Sequence, residues 1–132
     1  MRITADTNVL VRAFTGDHAA HGKIAQSTLR RAELIAVSIP TLCELVWVLS
    51  QGYKVPSREI ADTIRRLINA ANVAVDQPAA EAGLAQLDAG GDFADGAIAY
   101  EGNRLGADTF VSFDRKAVKL LDQRGESAQL LA

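Results

Sequence analysis

The chain holds one cysteine, two histidines and no long apolar run, and each shortage closes off a class of protein. Cys43 alone permits neither a disulfide framework nor a cysteine-based zinc site. Within "LCELVWVL" it is expected to act as a small buried hydrophobe. His18 and His21 lie one helical turn apart, whereas a two-histidine metal site normally uses four-residue spacing and further ligands, so both read as surface residues. No apolar run approaches the roughly 20 residues that span a bilayer, and the start carries no apolar signal region. A cytoplasmic location without a membrane partner is the expectation. Basic residues are not in excess either: 14 Lys and Arg stand against 16 Asp and Glu, for a formal charge of −2. That balance argues against gripping nucleic acid by bulk positive charge. Local basic patches, or a metal that inverts the local field, stay open.

What is present suffices for a core. The 132 residues are 48% hydrophobic, enough for one domain without staples. Gly and Pro punctuate them into alternating short extended and helical segments. "RITA" reads as a strand, and "TNVLVRAF" as a helix with Val9, Leu10, Ala13 and Phe14 on one face. "HAAHGKIAQSTLRRAE" is a second helix and "LIAVSI" a buried strand. "TLCELVWVLSQ" is a helix opened by Pro40-Thr41 and closed by Gly52. In "PSREIADTIRRLINAAN", Ile60, Ile64, Leu67 and Ile68 share one face, opposite Arg58, Asp62, Arg65 and Arg66. "VAV" is a strand, "PAAEAGLAQLDA" a helix ended by Gly90-Gly91, and "DFADGAIAYEGNRLG" a helix despite two interior glycines. A strand "DTFVSF", a helix "DRKAVKLLDQR" and a last strand "AQLL" complete the order. The pattern β-α-α-β-α-α-β-α-α-β-α-β implies α/β architecture, with a central, mostly parallel sheet of four to five strands and helices on both faces.

In such a sheet, ligands bind at the carboxyl ends of the strands. The acids gather there in the sequence. Asp6 follows the first strand, Glu44 lies in the first turn after the second, Asp92 and Asp95 flank the helix start after "GG", and Asp114 follows "TFVSF". Singly, each has an ordinary explanation. Asp6, Asp92 and Asp114 fit helix N-caps, worth roughly 1 kcal/mol each. Thr41-x-x-Glu44 fits a capping box. Together they would carry an electrostatic penalty, because two carboxylates about 4 Å apart repel by roughly 4 kcal/mol at a surface-like dielectric. Such a group raises its own pKa values or recruits a cation. An all-oxygen set suits Mg²⁺ or Mn²⁺.

These segments resemble PIN-domain ribonucleases, in particular the VapC-type toxins of bacterial toxin–antitoxin pairs. "ADTNVLVRAF", "SIPTLCELVWVL", "DFADGAIAYEGNRLGAD" and "TFVSFDRKAVKL" are similar to the family's four acidic elements, in the family's order and across nearly all of residues 1–132. The resemblance implies one PIN domain over that span, with Asp6, Glu44, Asp95 and Asp114 as an acidic quartet binding one or two Mg²⁺ or Mn²⁺ ions. Asp6, Asp95 and Asp114 would be direct ligands; Glu44 would ligate through water or help to deprotonate the attacking water. Asp92 stands either as an extra ligand or, preferably, as an N-cap. Thr7, Asn8 and Ser112 are candidates to orient carboxylates or contact a phosphate, or are turn and cap residues. The implied activity is metal-assisted endonucleolytic hydrolysis of RNA, in a loop of tRNA or ribosomal RNA, neutralised by a cognate antitoxin protein. Ser112 stands where the family often has Thr. Lys116-Ala117 stands where it often has an acidic-aromatic pair, which speaks against a fifth ligand there.

Arg115 and Lys116 adjoin Asp114 and are the best phosphate contacts; Arg30, Arg31, Arg65, Arg66 and Arg104 read as solvated helix faces. Trp47 and its apolar neighbours read as core, with a homodimer interface or an antitoxin groove as the functional alternative. An aspartyl-nucleophile phosphatase would carry a second Asp two residues after Asp6, where Asn8 stands. A catalytically silent PIN-like module that only binds protein or RNA is the competing class, though all four acids are present.

Overall fold

The structure, a computed structural model, describes residues 1–131. The chain forms two compact units, Met1–Asp76 and Gln77 onward. The order of elements is the one the punctuation implies, and the fold is α/β.

In the first unit, β1 (Arg2–Thr4) leads into α1 (Thr7–Thr15) and α2 (Ala19–Arg31), then β2 (Leu34–Ala36). There follow α3 (Ile39–Trp47), a π-helical turn (Val48–Gly52), α4 (Ser57–Ile68) and β3 (Val73–Ala74). The strands pair in parallel in the order β1-β2-β3, with Ile3 opposite Ile35 and Ile35 opposite Val73. Parallel neighbours need long crossovers, which is why helices separate them. Ile35, Leu42, Leu45, Ile60, Ile64 and Ile68 are buried. On α4 the two faces divide as the 3.6-residue spacing requires, with Ile60, Ile64, Leu67 and Ile68 buried and Arg58, Asp62 and Arg66 exposed.

Three expectations need correction here. On α1 the buried face is Thr7, Leu10 and Val11, while Phe14 is exposed. The cap of α3 is Ser38, whose Oγ accepts from the Thr41 N–H at 3.3 Å, so Thr41 sits inside the first turn and opens no capping box with Glu44. Pro40 occupies that same turn, where its missing N–H is harmless. Trp47 is not core: it is 67% exposed, while Leu45 and Val46 beside it are buried. Cys43 is half-buried.

The second unit holds α5 (Gln77–Asp88), α6 (Phe93–Arg104), β4 (Phe110–Ser112), α7 (Arg115–Gln123) and β5 (Ala128–Leu130). Strands β4 and β5 pair in parallel, Phe110 opposite Ala128 and Ser112 opposite Leu130. Helices α5 and α6 pack closely because glycines let them. A Cβ on Gly83 would lie 2.6 Å from the Phe93 ring, and one on Gly96 would lie 2.3 Å from the Ala82 carbonyl oxygen. Phe93, Leu84, Leu121 and Gln86 are fully buried.

All five strands pair in parallel, as expected, but their hydrogen bonds group them as three and two rather than as one sheet. Among the described residues, no helix is long and apolar enough to cross a membrane.

Candidate functional site

In the first unit the chain leaves β1 with Asp6 in extended conformation, and its Oδ1 accepts the Thr7 N–H at 2.8 Å. Thr7 is itself buried, at 7% exposure, and its Oγ1 donates to Glu44 Oε1 at 2.9 Å. One residue thus holds two carboxylates, Asp6 through its backbone and Glu44 through its hydroxyl. Because Ser38 caps α3, Glu44 is not drawn into helix capping. Both carboxylates, like Asn8, remain exposed to solvent.

In the second unit Asp92 caps α6, accepting the Ala94 N–H at 3.3 Å through Oδ1. Asp95 follows in the first turn and is half-buried. Its carboxyl is pushed above the usual aspartate range, first by burial and then by the negative charges of Asp92 and Asp114. Asp114 caps α7, its Oδ1 accepting the Ala117 N–H at 3.1 Å, while its own N–H donates to Ser112 Oγ at 2.9 Å. Ser112 thereby fixes the turn that presents Asp114. Arg115 and Lys116 are exposed beside it.

Capping and ligation prove compatible. Asp6, Asp92 and Asp114 all cap helices, and the bonds that do so engage one oxygen of each. An ionised carboxylate offers about four lone-pair positions on two oxygens, so acceptor capacity is left over. Oxygen donors of this kind match a hard divalent cation. Such an ion would also offset the burial and the repulsion that together raise the Asp95 carboxyl. Among the described residues, no group of three or more His, Cys, Asp or Glu side chains stands in an arrangement that holds a metal.

The histidines are surface residues, as expected: His18 caps α2 with Nδ1 accepting the His21 N–H, and the two rings stack at 3.9 Å. The sequence reading passed over Gln86. It is the one fully buried side chain in the second unit, among the described residues, that carries a polar group, and its only signal was an amide inside the apolar stretch of α5.

No curated protein matches the chain. The family profile described as the PIN domain matches residues 3–121, a span that includes Asp6, Glu44, Asp95 and Asp114. The chain therefore belongs to the PIN-domain family, whose members are generally nucleases.

Proposed function

We propose that the protein, as one PIN domain over residues 1–132, is a metal-dependent endoribonuclease of the VapC toxin type, cutting a loop of tRNA or ribosomal RNA and neutralised by a cognate antitoxin. The family match over residues 3–121, with all four acids inside it, carries this reading. Asp6, Asp95 and Asp114 would hold Mg²⁺ or Mn²⁺ directly. The ion, when bound, supplies charge stabilisation at the phosphate and a lowered pKa for water. Glu44, positioned by Thr7, serves as acceptor for the proton of the attacking water or holds a water beside the ion. Arg115 and Lys116 contact phosphate oxygens, and Asn8 and Ser112 orient the neighbouring acids. Asp92 keeps the N-cap role that its bond to Ala94 supports.

Exposed Trp47 on α3 supports a homodimer surface, since a large aromatic left in water commonly marks an interface. In the first unit an apolar groove of ≈ 650 Å³ runs past Leu29, Ile35, Leu67 and Val73, with Arg30 and Arg66 on its lining; it is the seat we assign to the antitoxin's apolar and acidic residues.

The test is RNA cleavage by the purified protein and by Asp6→Asn, each incubated with total tRNA and ribosomal RNA in Mn²⁺ or in chelator. Asn keeps the N-cap and removes the charge. Metal-dependent cutting that falls about 100-fold or more in the variant is the expected result. Equal cutting by both proteins, or none by either with no metal-induced stabilisation, would remove the nuclease reading in favour of a binding module.

A further inference from the structure

We propose that Gln86 is the positioning residue that fixes the Asp95 and Asp114 carboxylates relative to each other. Its side chain is fully buried, and both ends of the amide are bonded. Nε2 donates to the Ala117 carbonyl at 3.4 Å, and Oε1 accepts from Arg124 Nη1 at 2.5 Å. Ala117 is also the residue whose N–H is capped by Asp114. Gln86 therefore grips the first turn of α7 at the residue that anchors the Asp114 carboxylate.

The glycines next to Asp92 and Asp95 lie against the same residue. Gly96, next to Asp95, approaches so closely that an added Cβ would lie 2.8 Å from Gln86 Cβ. Gly91, next to Asp92, donates its N–H to the Gln86 carbonyl at 2.9 Å, and a Cβ there would lie 3.1 Å from both Cγ and Nε2. Two helix starts, that of α6 with Asp92 and Asp95 and that of α7 with Asp114, thus share a single buried neighbour. A leucine or methionine would fill that space as well and would leave no polar atom to satisfy. Among the described residues no buried side-chain polar atom lacks a partner, so this amide sits in a finished network. Such a network fixes one arrangement where an apolar contact would allow several. Arg124 is half-buried at the outer end and holds the amide in its orientation.

The metal arm of the test rests on the nuclease reading above; a second arm does not. Gln86→Met keeps the volume and removes both side-chain bonds. Leu84→Ala, a truncation of a buried side chain on the same helix with no hydrogen bond to break, is the control for lost stability alone. Arg124→Met releases the outer bond only, and carries the test if Gln86→Met does not fold. For each, Mn²⁺ binding is followed by calorimetry on the chelator-stripped protein, and amide hydrogen exchange is read at Ala117. In Gln86→Met, Mn²⁺ affinity falls about 10-fold or more, the scale of losing a partner that orients a ligand. Exchange at Ala117 accelerates beyond that of Leu84→Ala, and Arg124→Met shifts both in the same direction by less. If affinity and exchange in Gln86→Met match those of Leu84→Ala, Gln86 is ordinary core and the proposal is overturned. A wild-type chain that binds no Mn²⁺ overturns the metal reading itself, and the exchange arm still decides the role of Gln86.

Discussion

Thr7 shows how much one buried hydroxyl can organise. It is 7% exposed, and its two donors go to two different acids, the N–H to Asp6 and the Oγ1 to Glu44. Thr7→Val keeps the shape and the backbone bond while deleting the second. A hydrogen bond to an exposed carboxylate contributes about 1 kcal/mol, so the loss of stability is of that order. On the role proposed for Glu44, the larger effect falls on turnover: a Glu44 free to rotate would spend less time where it is to accept the proton. We expect kcat on RNA to drop about 10-fold, or about 1.4 kcal/mol of barrier, with the thermal midpoint lowered only slightly. Single-turnover cleavage with Thr7→Val, alongside Thr7→Ser which keeps the hydroxyl, checks this; equal losses in both would place the effect in packing. The caps themselves were legible from sequence, because Asp before a helical run has a local explanation. The Thr7–Glu44 bond was not, since 37 residues separate the partners and only the fold brings them together.

At the scale of elements, punctuation carried far. Gly16, Gly52, Gly90-Gly91 and Gly125 fall at helix ends or just beyond them, and the order of strands and helices followed from such residues. What composition could not tell was which way an all-round apolar helix turns. Along α3, Leu45, Val46 and Trp47 are equally apolar, yet only the tryptophan is left in water. The interior glycines of α6 were likewise opaque, because propensity counts both as weak spots. The structure separates them. Gly96 lies against the Ala82 backbone, which cannot yield, so Gly96→Ala should destabilise by about 3 kcal/mol through overpacking. Gly102 has nothing within 4 Å of an added Cβ and no positive φ, so Gly102→Ala should stabilise by about 1 kcal/mol through helix propensity. Urea titration of both variants tests the contrast; two changes of the same sign would contradict the close packing of α5 on α6.

Over the whole molecule the charge is nearly balanced, so the electrostatics that matter are local. The clearest local imbalance is Asp95, whose carboxyl is pushed up by burial and by Asp92 and Asp114. For an acid whose folded pKa exceeds its unfolded value, the unfolded chain gives up the proton first as pH rises. Stability is therefore lost between the ordinary aspartate value and the raised one, and the loss persists at neutral pH. Asp95→Asn removes that penalty. In chelator at pH 7 the variant should melt above the wild type, and the gap should close as the pH is lowered to the ordinary aspartate range. On the proposed ligand set, metal should reverse the order. If Asp95 is a ligand, Mn²⁺ at 100 times its Kd stabilises the wild type by about 2.7 kcal/mol and the variant by much less. The two melting curves should thus exchange places on adding Mn²⁺. A variant that is less stable in chelator would refute the electrostatic strain at Asp95; a variant that gains as much from Mn²⁺ as the wild type would remove Asp95 from the ligand set. Only a carboxylate that is unfavourable in the empty fold and used by a cation gives the crossing, because a cap or a core residue would keep the same order in both conditions.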